Sequence, residues 1–187
     1  MVDSILEAAA RVLVRRGYAG TTTNHVAEAA GISVGSLYQY FPNKESMVAA
    51  LHERHAREIV GVVDEALVAA HRRSLETSIR SIVAAVVKAH LVDPRLHRVL
   101  ESEVPELDRF DGVEDLDRTI AARVRDLLGE HRAEIAPRNL ALSAFVVMRI
   151  VDALVHAAVI DPPGPVPAKE IEGEIARVLL GYLAVPS

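Results

Sequence analysis

The 187 residues contain no cysteine and no tryptophan, and their only aromatics are four tyrosines and three phenylalanines. Without thiols there is no disulfide framework, thiolate zinc site or cysteine nucleophile, and a reducing cytoplasm is the expected compartment. With aromatics at 4%, the core must be filled by Ala, Leu, Val and Ile, which with scattered Glu and Arg favours helices over sheets. An excess of positive charge is also lacking, since the net charge is −5. Residues 1–50 are balanced: Arg11, Arg15, Arg16 and Lys44 stand against Asp3, Glu7, Glu28 and Glu45. Charge therefore gives no support to a nucleic-acid partner, and any such case rests on motif.

Half of the residues are apolar, enough for a substantial core and too many for a disordered chain. The first segment lacks the basic start and apolar run of a signal peptide, and Ser4 and Glu7 are spaced as a capping box. From Leu140 to Ile160 every residue is apolar except Ser143, Arg149, Asp152 and His156. That length suffices to cross a bilayer, but Arg149 and Asp152 would each cost about 2.5–3.5 kcal/mol near its centre. A buried helix of an oligomer is expected there, and no membrane partner.

Periodicity predicts an all-α chain. Ile5, Leu6, Ala9, Val12 and Leu13 share one helical face that ends at Gly17. A second helix is expected from Thr22 or Thr23 to Ala30, stopped by Gly31, and a third from the cap Ser33 to Phe41, stopped by Pro42. An apolar stripe from Lys44 to about Arg72 predicts one long helix. Further helices are expected over 75–92, 95–103 ended by Pro105, 113–131, 140–160 and 168–184. Pro162, Pro163, Gly164, Pro165 and Pro167 form an expected rigid connector. The domain boundary is expected at the start of the long helix, giving 1–45 and 46–187.

Residues 23–41 have the pattern of a helix-turn-helix. Ala27 is small enough for two short helices to cross, Gly31 accepts the positive φ of a tight turn, and Val26, Ala30, Ile32 and Leu37 fill a small core. The polar positions remain outside, where the third helix can enter a major groove while Thr22, Thr23 and Asn24 hold phosphate.

Gly17, Tyr18, Thr21, Thr22, Val26, Ala27, Ala30, Gly31, Ile32, Ser33, Gly35, Leu37, Tyr38, Tyr40, Phe41, Lys44 and Glu45 form an ordered set that resembles the TetR family of repressors. The resemblance covers residues 5–50 densely, and the C-terminal region only in helix count and layout. It implies an N-terminal three-helix DNA-binding domain followed by a helical domain for effector binding and dimerisation. It implies further that Ser33, Val34, Gly35 and Ser36 face the groove, Gln39 bonds a base edge, Val34 meets a thymine methyl, and Tyr38, Tyr40 and Lys44 bind phosphates. Tyr38 and Tyr40 have the alternative of partial core packing with exposed hydroxyls, and His25 is expected to solvate its helix, with phosphate contact as the alternative. The last two long helices are implied to form a four-helix dimer bundle, with Ile150, Leu154, Ile171, Ile175, Val178, Leu179 and Tyr182 at the interface.

Arg149, Asp152 and His156 make one polar stripe on an apolar helix. They read either as an ion network or as a polar wall of an effector pocket. His52, Glu53, Arg54 and His55 fall short of the zinc-protease spacing by one residue and are expected on a solvated face. His90, Asp93 and His97 are separated by Pro94, so no metal site is expected, and no cofactor.

These features predict a homodimeric, sequence-specific regulator of a pseudo-palindromic duplex operator, a repressor released by an unknown small-molecule effector. A ligand-independent regulator or activator of the same fold is the alternative. No nucleophile with its base and no phosphate loop is present, so an enzyme is not expected.

Overall fold

The computed structural model describes residues 1–104, 111–160, 164 and 166–184. The expected helix stop Pro105 and the connector residues Pro162, Pro163 and Pro165 lie outside the described residues. Among those described, the chain forms nine helices and no strand: α1 (Val2–Arg16), α2 (Thr23–Ala30), α3 (Val34–Tyr38), α4 (Lys44–Ala70), α5 (Leu75–His90), α6 (Pro94–Ser102), α7 (Asp111–Glu130), α8 (Leu140–Ile160) and α9 (Ala168–Leu183).

Local chemistry sets most of these boundaries. Thr22 caps α2 by accepting from the His25 amide, Ser33 caps α3 through the Ser36 amide, Ser74 caps α5 through Thr77 and Asp93 caps α6 through Leu96. Gly31 closes α2 in the left-handed conformation, φ 69 and ψ 30. Two expectations are corrected. The capping box at Ser4 and Glu7 does not form: the Ile5 amide donates to the Met1 carbonyl at 3.1 Å, so α1 begins at Val2 and both residues lie within it. α3 ends at Tyr38, short of Phe41. The Gln39 amide donates to Ser36 and the Tyr40 amide to Leu37, tightening the last turn before Pro42.

The chain packs as two compact units. One comprises Met1–Arg57 and Asp93–Glu114, the other Glu58–Val92 and Asp115–Ser187. The first has a core of Ile5, Ala9, Leu13, Val26, Leu37, Met47, Val48 and Leu51, joined by Leu96, Val99 and Leu100 of α6. The second is built where α5 packs on α8 and α9 and α8 packs on α9. Val83, Val87, Leu128, Val155, Ile175, Leu179 and Leu183 lie at its centre. An antiparallel bridge, Ile135 with Ala184, fastens the segment before α8 to the end of α9.

Candidate nucleic-acid interface

Burial in the first unit separates scaffold from surface along α2 and α3. Val26 and Leu37 are fully buried and Ala27 nearly so, while Ala30 and Ile32 pack partly against the same core. The intervening positions face outward. Thr22, Asn24, Ser33, Gly35 and Gln39 are exposed, Thr23, Val34 and Ser36 half-buried, and Tyr38 and Tyr40 are 50% and 45% exposed. Fixing Leu37 in the core thus sets Tyr38, Gln39 and Tyr40 on the outside of a short, capped turn.

Hydrogen bonds order this surface. The Thr23 hydroxyl and the Tyr38 hydroxyl are 3.2 Å apart, linking the start of α2 to the end of α3. Ser33 Oγ accepts from the Ser36 amide at 3.0 Å and lies 2.8 Å from Ser36 Oγ. Lys44 is held at the start of α4. Its ammonium lies 3.8 Å from the centroid of the Tyr18 ring and donates to the Tyr18 carbonyl at 3.1 Å. The Glu103 carboxylate accepts from the Tyr18 amide at 2.6 Å and lies 2.8 Å from where a Cβ on Gly17 would stand, so the end of α6 bears on the turn after α1. His52 and His55 overturn their expected solvated setting. Both are buried, His52 3.2 Å from Glu101 and His55 3.2 Å from His97, because this face of α4 packs on α6.

In the second unit Asp152 joins the predicted polar stripe: it accepts from Arg149 Nη1 at 3.3 Å and lies 3.2 Å from His156 Nδ1. The hydrogen bond to His156 holds the Asp152 carboxyl below the usual carboxylate range despite its partial burial, aided by Arg149 and, when protonated, by His156 and His90. Two surface cavities of this unit are lined elsewhere. One, about 510 Å³, runs along Ala84, Ala85, Lys88, Leu91, Val92, Ala168 and Glu172. The other, about 280 Å³, is formed by Leu67, Val68, His71, Arg123, Asp126, Leu127 and Glu130.

The seven apolar positions expected at a dimer interface divide. Ile175 and Leu179 are spent in the core of the unit, and Ile150, Ile171 and Tyr182 pack partly against it. Leu154 and Val178 are exposed, as are Leu142 and Phe145, which sequence reasoning did not single out. Their signal was present in the near-continuous apolarity of α8, whose one-chain packing leaves a face uncovered. α8 is also, among the described residues, a helix long and apolar enough to cross a membrane by composition alone.

Comparison with known proteins bears on the whole arrangement. The pattern of the bacterial regulatory proteins of the tetR family matches residues 5–51, and that of the tetracyclin repressor-like C-terminal domain matches residues 74–183. The chain belongs to the tetR family. Its curated relatives include the HTH-type transcriptional regulator YvkB of Bacillus subtilis, 36% identical over 61 residues, which are 33% of this chain and 32% of that protein. The match thus spans about a third of the length of YvkB. YhgD, another HTH-type transcriptional regulator of Bacillus subtilis, is 26% identical over 158 residues, 81% of this chain and 80% of that protein. In fold, the chain resembles the transcriptional regulator FadR of Bacillus subtilis, solved with stearoyl-CoA. That likeness has a TM-score of 0.76 at 17% identity, covering 98% of this chain and 100% of FadR. The tetR family and these relatives are transcriptional regulators rather than enzymes, as the sequence led us to expect.

Proposed function

We propose that the protein is a homodimeric, cytoplasmic transcriptional repressor that binds a pseudo-palindromic duplex operator through α2 and α3 and leaves it when a small molecule enters the helical unit. The observation that carries the DNA reading is the outward row Tyr38, Gln39 and Tyr40 anchored by the buried Leu37. In this reading Val34, Ser36 and Gln39 read base edges, with Ser33 and Gly35 allowing close approach of the backbone. Thr22, Thr23, Asn24, Tyr38 and Tyr40 position the unit on phosphates, and Lys44 adds its charge at the same edge while bracing Tyr18.

The exposed Leu142, Phe145, Leu154 and Val178 support a second copy as the cover of α8 and α9. A twofold dimer places two reading helices about 34 Å apart, matching half-sites one turn of duplex apart. The second unit serves as the effector domain and the N-terminal helices as the DNA-binding domain. α4, which contributes residues to both units, carries the signal. An apolar or amphipathic effector suits the cavity of about 510 Å³ along Ala84, Ala85, Leu91 and Val92, while Arg149, Asp152 and His156 form an ion network outside its lining. The effector must bind the released state more tightly than the DNA-bound state to have any effect.

Selection of duplexes from a random pool, followed by gel shift, tests the proposal. The expected result is a palindromic consensus bound by two chains per site. Absence of any sequence-specific duplex binding overturns it. An operator affinity that no small molecule alters would leave a ligand-independent regulator or activator of the same fold.

A further inference from the structure

His90 closes α5 and His156 lies in the last third of α8, so 66 positions of sequence separate two rings that the second unit brings together. A ring nitrogen of each lies within 4.8 Å of the other. The ring centroids are 5.6 Å apart, and the planes meet at 85°. His90 is buried, with its Nδ1 2.8 Å from the Val86 carbonyl. A carbonyl only accepts, so Nδ1 of that ring carries a proton and the lone pair of the neutral imidazole falls on Nε2. His156 is set the same way by a different group: its Nδ1 lies 3.2 Å from the Asp152 carboxylate, which likewise only accepts. Two imidazoles from facing helices are thereby held in the same tautomer, one by a backbone carbonyl and one by a carboxylate. Metal-binding histidines are oriented in this way.

We propose that His90 and His156 are paired ligands of a divalent transition-metal site in the second unit, with Asp152 orienting His156 and balancing the charge. The donor chemistry sets the ion class. Imidazole nitrogens suit Zn²⁺, Co²⁺ and Ni²⁺, whereas Mg²⁺ and Ca²⁺ require oxygen-rich sites and Cu⁺ prefers the thiolates this chain lacks. A tetrahedral ion with nitrogens at about 2.1 Å places two imidazole centroids roughly 5.3 Å apart. The observed centroid separation is 5.6 Å. Water completes the coordination sphere. Such an ion would tie the last turn of α5 to α8 without any change of fold, and it departs from the sequence expectation of no metal. The inference does not rest on the effector reading, because the ion binds without operator or small molecule.

The test uses the full chain, stripped with a chelator and titrated with ZnCl₂ by calorimetry and with CoCl₂ by visible absorption. One ion per chain is expected, with a melting temperature that rises on loading and returns on chelation. His156→Gln is the decisive variant, because that side chain is 26% exposed and its loss leaves the core intact. It should weaken binding by about 100-fold, and Asp152→Asn by about 10- to 100-fold. His131→Gln, which alters a buried histidine at the end of α7 paired with Glu134, should bind as the parent does. Three results overturn the site: no saturable binding of either ion, full affinity in a helical His156→Gln protein, or loss of binding in His131→Gln in place of His156→Gln.

Discussion

Lys44 stands 3.8 Å over the Tyr18 ring and donates to the Tyr18 carbonyl at 3.1 Å, so the first residue of α4 grips the turn that follows α1. One side chain thereby combines a cation–π contact with a hydrogen bond, on an edge proposed to meet phosphate. Lys44→Met should cost about 1 kcal/mol of stability, the scale of one such contact. It should also lower the slope of log affinity against log salt by about 0.9 for each phosphate that Lys44 neutralises. Thermal melts and anisotropy titrations at several salt concentrations separate the two effects, and unchanged values in both would remove Lys44 from either role.

Gln39 is exposed at the end of α3. Gln39→Ala should leave the melting temperature within about 1 °C while weakening the cognate operator by about 1–3 kcal/mol, with relaxed preference at one base pair of each half-site. A uniform loss across all duplexes would instead make Gln39 a phosphate contact.

The two glycines of the helix-turn-helix should respond in opposite ways to alanine. Gly31 has φ 69, and a Cβ there would meet nothing within 4 Å, so the penalty of Gly31→Ala is purely conformational, about 1–2 kcal/mol. Gly35 is helical, and an added Cβ would meet only Ser33 Oγ at 3.8 Å, an ordinary contact. Gly35→Ala should therefore fold as stably as the parent yet bind operator less tightly. Denaturant melts and gel shifts on the two proteins check this, and a destabilised Gly35→Ala would contradict it.

Phe145 is 58% exposed on α8 beside the exposed Leu142. Phe145→Glu should cost little within one chain but about 2 kcal/mol or more in a dimer that buries the ring. Sedimentation equilibrium should show a shift toward monomer, and operator binding should weaken with it. A variant that sediments as the parent does would place the dimer contact elsewhere.

Much of the fold was legible because its determinants are local. Thr22, Gly31 and Ser33 announce their caps by residue type, since a hydroxyl satisfies free amides and glycine tolerates a positive φ. The spacing of Val26, Ala27 and Leu37 names their buried face. The start of α1 was misread because Ser4 and Glu7 match a capping signature that an earlier backbone bond pre-empts. The burial of His52 and His55 escaped notice because it depends on partners in α6, 49 and 42 residues further along the chain.

Sequence alone thus determined the helical class, the helix-turn-helix and its outward residues, because propensity, capping and period act within a few residues of one another. Tertiary structure decided what depends on distant segments meeting. It drew α6 into the first core, spent Ile175 and Leu179 inside the second, and left Leu142 and Phe145 bare. It also set His90 against His156 and Asp152. A one-dimensional pattern shows which face of a helix is apolar, but only packing determines which part of that face the chain itself covers.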